Sequence, residues 1–411
     1  MHILFLTDNF PPETNAPATR TFEHARRWVT AGHRVTIITC VPNFPGGQVF
    51  SGYRNRLIQR EKIAGIEVIR VWTYITANEG FLRRSLDYIS FMVAAIIAGL
   101  FLKRPDVIIA TSPQFFAAIG GYLLSILKWR PFVFELRDLW PDSIVAVGAM
   151  GDTLLIKLLR RIEYFLYRRA TLIVSVTNSF KDILVKNGIT ANKIVVIPNG
   201  VDTEEFKPGA RPPELLAQWK LEGKFIAAYV GTLGMAHGLG TLLNTAKVLR
   251  DHEKIAFVLV GAGAERTQLI ERARMDGLEN VYFVGAVDKE TVKQYWRLAD
   301  VALVLLRDIP LFAHVIPSKM FEAMGTAKPI ILGVRGESKN ILERANAGIA
   351  ITPEDTSELV AAILRLVNNP AEAADMGNTG RTFVEIYFDR DRLAVNMLRA
   401  LQQVNNDNKR K

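Results

Sequence analysis

The hydrophobic positions of this chain fall into short apolar runs separated by longer stretches in which apolar residues recur every three or four positions. In the first half the runs His2–Thr7, Val35–Thr39, Ile66–Val71, Val107–Ala110, Phe132–Glu135, Leu172–Val176 and Ile194–Ile197 predict buried strands. Helical periodicity lies between several of them, notably at Thr19–Ala31 and Thr153–Arg169. The second half repeats the scheme with strands predicted at Phe225–Val230, Ala256–Val260, Val281–Val284, Val301–Leu305 and Ile330–Leu332. Alternation of this kind specifies a doubly wound α/β sheet, and each half is a complete unit. Pro198-Asn199-Gly200-Val201-Asp202 and the proline-rich stretch to Pro213 form the expected linker. The expected domains are residues 1–200 and 201–384, with a helix at about 385–404 able to pack back on the first; the tail from Asn405 to Lys411 is polar and expected to fray.

Two helical segments carry more apolar surface than a sheet contact needs. Leu86–Leu102 is nearly all apolar between Arg83-Arg84 and Lys103-Arg104, yet it contains Asp87 and falls short of the ~20 residues of a spanning helix. It is expected to pack on the sheet with one face at a membrane interface. Leu154–Arg169 places Leu154, Leu155, Leu158, Leu159, Ile162, Phe165 and Leu166 on one face, with Lys157, Arg160, Arg161, Arg168 and Arg169 largely elsewhere. That is the pattern of an interfacial basic helix, and core packing explains the same apolar face.

Charge sharpens this picture. The chain has 411 residues and a formal net charge of +10. Residues 1–200 hold 24 Lys and Arg against 14 Asp and Glu, and the remainder holds 27 against 27. The basic excess therefore sits entirely in the first half, which suits a polyanionic partner. No zinc-finger spacing, RNP-like aromatic motif or recognition helix is visible, so anionic lipid is favoured over nucleic acid. The single cysteine, Cys40, precludes an intramolecular disulfide framework, and the start Met1–Asp8 lacks a basic leader region, so the expected place is the cytoplasmic side.

The candidate chemistry gathers at predicted strand ends. Gly231-Thr232-Leu233-Gly234-Met235-Ala236-His237-Gly238 follows the first strand of the second half, and Gly261-Ala262-Gly263 follows the next. Such turns allow phosphate to approach backbone N–H groups closely. Val315–Gly325 predicts a two-turn helix starting at Pro317 and Ser318, with Lys319 and Glu322 three apart on one face. A cation and a carboxylate there suit a nucleoside diphosphate, lysine on phosphate and glutamate on ribose. Arg137-Asp138-Leu139-Trp140-Pro141-Asp142 follows a strand of the basic half, which makes Arg137 and Asp138 candidates for acceptor binding or proton transfer, with a structural salt bridge as the alternative. The first strand runs into Asn9–Ala16 without a glycine, which argues against a nicotinamide cofactor. No Cys/His cluster has ligand spacing, and Asp389-Arg390-Asp391 does not follow an apolar strand, so neither a metal nor a cofactor is expected.

In order and spacing, Gly32-His33-x-Val35, Pro198–Asp202 with Phe206 and Pro208, Val260-Gly261-x-Gly263 with Glu265-Arg266, Val281-x-Phe283-x-Gly285, Ala299-Asp300-Val301 and Glu322–Gly325 with Lys328-Pro329 are similar to the retaining glycosyltransferases of family 4. The resemblance implies the GT-B fold, two Rossmann-like domains facing across a cleft, acceptor on the first and nucleotide-sugar on the second. Glu322 matches the second glutamate of the Glu-x7-Glu signature, while His314 stands where the first is usual. The loop at 231–238 lacks the family's Arg and Lys, offering Thr232 and His237 instead. The implied donor site comprises Gly231, Gly234, His237, Gly261, Gly263, Phe283, Val284, Gly285, Ser318, Lys319 and Glu322, with the base lined by backbone. Asp138, Arg137 and His314 are the implied catalytic residues, and Asn15, Arg20 and Trp140 the implied acceptor contacts.

These departures, with Arg137–Pro141, resemble a bacterial subgroup building O-antigen, colanic acid and capsule units, including fucosamine-type amino-sugar transferases. The implied donor is a UDP-, GDP- or dTDP-linked sugar, and the implied acceptor a saccharide on polyprenyl diphosphate at the inner membrane, where the protein would sit peripherally. A nucleotide-sugar epimerase of the same fold and a non-catalytic subunit of a polysaccharide assembly complex remain alternatives.

Overall fold

The computed structural model describes residues 1–44, 46–76, 81–112, 114–146, 148, 151 and 153–410. They form two units, the first Met1–Pro198 together with the residues from Arg390 onward, the second Asn199–Asp389.

The first unit is built on strands β1 (His2–Leu6), β2 (Arg34–Cys40), β3 (Ile58–Ile63), β4 (Ile66–Val71), β5 (Val107–Thr111), β6 (Phe132–Leu136), β7 (Leu172–Ser175) and β8 (Ile194–Val196), in spatial order β3-β4-β2-β1-β5-β6-β7-β8. Every neighbour pair is parallel except β3 with β4. The central strands are apolar throughout because helices cover both faces of such a sheet. The linking helices include α1 (Ala16–Thr30), α2 (Phe81–Leu100), α3 (Phe115–Lys128), α4 (Asp142–Ala146) and α5 (Leu154–Arg169).

The second unit holds β9 (Phe225–Val230), β10 (Ile255–Val260), β11 (Val281–Gly285), β12 (Val301–Leu305), β13 (Ile330–Gly333) and β14 (Gly348–Ala350), in the order β11-β10-β9-β12-β13-β14, all parallel. Each sheet therefore has a switch in winding direction, between β1 and β5 in the first and β9 and β12 in the second. A crevice at the carboxyl ends of the strands there is the place where open α/β sheets take ligands. Among the described residues no helix is long and apolar enough to cross a membrane.

The structure departs from the sequence expectations in several places, the unpredicted edge strand β14 among them. The edge strand β3, Ile58–Ile63, was not predicted; its sequence Ile-Gln-Arg-Glu-Lys-Ile is charged, as suits an exposed edge. The tail does not fray at Asn405, because one helix runs from Arg390 to Arg410 with Val404 and Asn405 buried, and the Trp28 indole donates to the Ala394 carbonyl at 3.0 Å. The Asp389-Arg390-Asp391 run, expected to be solvated surface, is so at Asp391, which is exposed and pairs with Arg27, whereas Arg390 is buried and Asp389 accepts a hydrogen bond from Thr203.

Arg20, expected at the acceptor, lies inside the first unit. Its guanidinium donates to Glu135 Oε1 at 2.9 Å and to the carbonyls of Ile197 and Pro198 at 2.9 and 2.8 Å, tying α1 to β6 and to the chain leaving β8. Both partners of the ion pair are buried. Removing one member of such a pair leaves the other charge uncompensated, so Arg20→Met should cost about 3 kcal/mol of unfolding free energy in urea titrations, the low end for a buried pair because Arg137 remains nearby. A variant as stable as the parent would contradict this structural role.

Candidate functional site

In the second unit three turns meet at the carboxyl edge of the sheet. The Gly231 amide donates to the Val260 carbonyl at 2.9 Å, the Gly261 amide to the Gly285 carbonyl at 2.8 Å, and the Leu233 amide to the Ala262 carbonyl at 2.8 Å. The loops after β9, β10 and β11 are thus laced together. Gly261 has φ +144°, and a Cβ there would stand 1.9 Å from the Gly231 oxygen, so no side chain fits. Gly263 lies over the Leu233 carbonyl in the same turn, and Gly234 accepts the His237 amide at 3.0 Å.

Lys319 is the central feature of this edge. It opens the two-turn helix Lys319–Gly325, and Ser318 before it has helical backbone angles and makes no side-chain cap bond. The Lys319 ammonium is out of solvent without a hydrogen-bond partner. It sits over the Tyr229 ring, 3.7 Å from the centroid, and directly against Gly231, where a Cβ would meet Nζ at 2.8 Å. Gly231 has φ +143°, so its glycine is required by the turn, and the lysine uses the space that it leaves. Burial lowers the Lys319 pKa to about 7, with the Glu322 carboxylate acting in the opposite direction. An ammonium in that setting is poised to gain a charge partner.

Around it, His237 points Nδ1 at the Leu305 carbonyl at 3.4 Å, and burial, then the Lys319 charge, lowers its pKa to about 3. It is a neutral imidazole and supplies no cation. Glu322 accepts from the Trp296 indole N–H at 3.1 Å, which fixes the carboxylate's orientation. Phe283 packs on the hydrophobic core, so from Phe283, Val284 and Gly285 it is backbone that lines this end of β11. His314 closes the 3₁₀ turn Pro310–His314 just before this segment and is half-buried. Arg266 was part of the sequence pattern but was given no role in the site: it opens the helix after the Gly261–Gly263 turn, its Nε is buried without a partner, and it reaches Gly285. Its place directly after a glycine turn was the available signal.

In the first unit, the carboxyl edge beside the β1/β5 switch carries a second group of charges. Arg137 donates its amide to Ser112 Oγ at 2.9 Å, and its Nε and Nη1 are buried without a partner. Burial lowers its pKa to about 10, while Glu135 and Asp8 hold it charged. Asp8, directly after β1, and Asp87 of α2 are the acids missed by sequence reasoning. Burial raises both, Asp87 to about 7, and the Asp8 charge adds to the shift of Asp87. Asp138 is also raised by burial and accepts from Ser143 at the start of α4. Trp140 is buried and stacks on Phe115 with ring centroids 4.8 Å apart, so its ring supports the site from within and does not line it. Asn15 caps α1, accepting from the Ala18 amide at 2.9 Å and donating to Asn9 at 2.6 Å. Among the described residues no group of His, Cys, Asp and Glu has the arrangement to hold a metal ion.

The chain matches two family profiles in succession, the glycosyl transferase 4-like domain over residues 15–200 and glycosyl transferases group 1 over residues 213–383. It is 26% identical over 402 residues to WcaI of Escherichia coli K12, named as a colanic acid biosynthesis glycosyl transferase, covering 95% of this chain and 97% of that one. It is 25% identical over 283 residues to the glycosyltransferase WbjE of Pseudomonas aeruginosa, 67% of this chain and 66% of that one. In fold it is similar to sucrose-phosphate synthase from Thermosynechococcus elongatus, with a TM-score of 0.80 at 18% identity over 98% of each chain. The Anabaena protein HepE, solved with UDP-glucose, gives 0.74 at 17% identity over 98% of this chain and 100% of that one. The chain belongs to the family 4 glycosyltransferases and has their two-domain GT-B fold.

Proposed function

We propose that this enzyme binds a nucleotide-sugar at the carboxyl edge of β9–β12 and transfers the sugar, with retention of configuration, to a lipid-linked saccharide at the inner face of a membrane. The observation that carries the donor site is the Lys319 ammonium, buried, partnerless and pressed against the first glycine turn. A diphosphate needs a compensating positive charge, and the loop at 231–238 contributes none, since His237 is neutral. Glu322, oriented by Trp296, takes the ribose hydroxyls; the backbone of Phe283–Gly285 and the Arg266 side chain take the base; Ser318 and the turns at Gly231, Gly234, Gly261 and Gly263 take the diphosphate. HepE's complex with UDP-glucose supports a UDP-type donor, and GDP- and dTDP-sugars are the other members of the class.

In this reading the chemical step is driven by stabilising the departing diphosphate. Charge grows on the leaving oxygen as the bond to the sugar breaks, and a preorganised ammonium beside it acts more strongly on the transition state than on the bound donor. The leaving oxygen can then accept the proton of the attacking hydroxyl from the same face, which gives retention. His314 occupies the donor-sugar side. Arg137, Asp138 and Asn15 face the acceptor, with Trp140 and Arg20 positioning them from the interior. The named role of WcaI supports an acceptor from exopolysaccharide assembly, and an N-acetylated 6-deoxyhexose is the proposed sugar. The basic first half suits the membrane that such an acceptor occupies.

A panel of UDP-, GDP- and dTDP-sugars with polyprenyl-diphosphate-linked saccharides tests this: one donor should give a product of retained anomeric configuration. An inverted product, or epimerisation of donor without acceptor, would contradict it. Glu322→Ala should weaken nucleoside-diphosphate affinity by about 1.5–3 kcal/mol, the worth of a hydrogen bond to a charged group, as read by calorimetry. Unchanged affinity in the folded variant would remove the ribose contact. Lys319→Met should lower turnover about 100-fold and raise the donor's apparent binding constant by less, because the lost interaction is strongest in the transition state. Near-normal turnover would contradict the role given to Lys319.

A further inference from the structure

The helices α2, α3 and α5 lie on one face of the first unit's sheet, α3 packing on both of the others. α2 buries Phe91, Ala95 and Ala98 and fits closely to α3, where a Cβ on Gly99 would stand 2.4 Å from Leu124. Its opposite side is also apolar: Leu86, Ile89, Val93, Ile97 and Leu100 follow one another at three- and four-residue spacing, and all are exposed. A helix that is apolar all round is normally buried all round. α5 departs from the expected single apolar face in the same sense. It buries Ile156, Leu159, Glu163, Leu166 and Tyr167, and leaves Leu154, Leu155, Leu158 and Phe165 in solvent. The apolar residues of this layer exceed what the sheet covers.

The ends of α2 and α3 concentrate the effect. Lys128 donates to the Leu100 and Leu102 carbonyls at 2.7 Å, and Arg104 to the carbonyls of Lys128 and Trp129 at 2.7 and 3.0 Å, which ties the two helix termini together. Each terminus presents an aromatic ring outward, Phe101 at 80% exposure and Trp129 at 81%. Exposed cations, Arg83, Lys103, Lys157, Arg161 and Arg168, lie on or beside the same three helices. The acids on these helices are Asp87, half-buried, and Glu163, buried. The surface is thus apolar and cationic together, with outward aromatics.

We propose that the outer face of α2, α3 and α5 docks in the plane of an anionic lipid bilayer, the apolar stripe and the two aromatics entering the interface and the cations meeting lipid phosphates. Charge complementarity selects this occupant over a second copy of the chain, which would bring like charge to like. None of the described helices spans the bilayer; α2 lies flat. The inference deepens the lipid-linked acceptor reading and rests on it for its purpose, since docking would bring the acceptor's headgroup to the enzyme.

The test is co-sedimentation of the full-length protein with vesicles of phosphatidylcholine alone and of phosphatidylcholine mixed with phosphatidylglycerol, at low and physiological salt. Binding is expected only to the anionic vesicles, weakening with salt. Lys103→Gln/Lys157→Gln/Arg161→Gln/Arg168→Gln and Phe101→Ser/Ile126→Gln/Trp129→Ser, Ile126 being an exposed residue of α3, should each reduce the partition coefficient about tenfold or more. All these side chains are exposed, so unfolding is not expected, and an unchanged thermal midpoint with retained nucleotide affinity checks that. Vesicle binding left intact by both sets overturns the proposal, as does a self-associating parent that the apolar set turns into a monomer with no change in vesicle binding. Transfer to a detergent-solubilised acceptor by a protein that ignores vesicles would overturn docking and leave the function standing. Vesicle binding that follows these predictions in a protein unable to bind nucleotide would leave docking standing and remove the function.

Discussion

A lysine ammonium held away from water with no oxygen to receive it is the constraint on which the second domain's carboxyl edge turns. Burying such a group is unfavourable unless it is paired or neutralised, and Lys319 responds by a pKa lowered to about 7. The surroundings are built around it. Gly231, a glycine by its backbone angle, leaves it room, the Tyr229 face supports it, and Gly261 must lack a side chain to let the adjoining turn close over Gly231. The parallel sheet brings these together, because strands of one direction deliver all their following loops to one edge.

The first domain shows a related arrangement at its own switch point. Arg137 carries two buried N–H groups without partners and interacts with Asp8, whose carboxyl burial has raised. Each domain therefore buries a basic side chain with unsatisfied N–H groups at the carboxyl end of its sheet. Arg20 differs: it is fully engaged with Glu135 and two carbonyls, and acts as a strut for the strands that position Arg137.

Much of this architecture was legible in the sequence because strands of a doubly covered sheet must be apolar end to end, and His2–Thr7 or Val301–Leu305 has few other uses. The charged edge strand Ile58–Ile63 was hidden because it has no buried face to write into the pattern. The glycine turns and Lys319 could be placed at one edge from their position after strands. What could not be read was pairing across long separations. Arg20 and Glu135 are 115 residues apart, and only their meeting turns an exposed-looking arginine into a buried one. The Trp296–Glu322 bond and the Phe115–Trp140 stack are of the same kind. The stripe on Leu154–Arg169 left its two readings open for a different reason: periodicity shows which residues share a face, and here the sheet covers only part of it.

The most direct measurement of the central claim is the number of protons taken up when a nucleotide-sugar binds, from calorimetric titrations near pH 8 in buffers of differing ionisation enthalpy. Above its pKa of about 7, Lys319 is mostly neutral in the free enzyme, and a diphosphate beside it favours the charged form, so binding must draw a proton from solution. The account predicts uptake of close to one proton by the parent enzyme and none by Lys319→Met. Binding without proton uptake by the parent, or equal uptake by both, would contradict it.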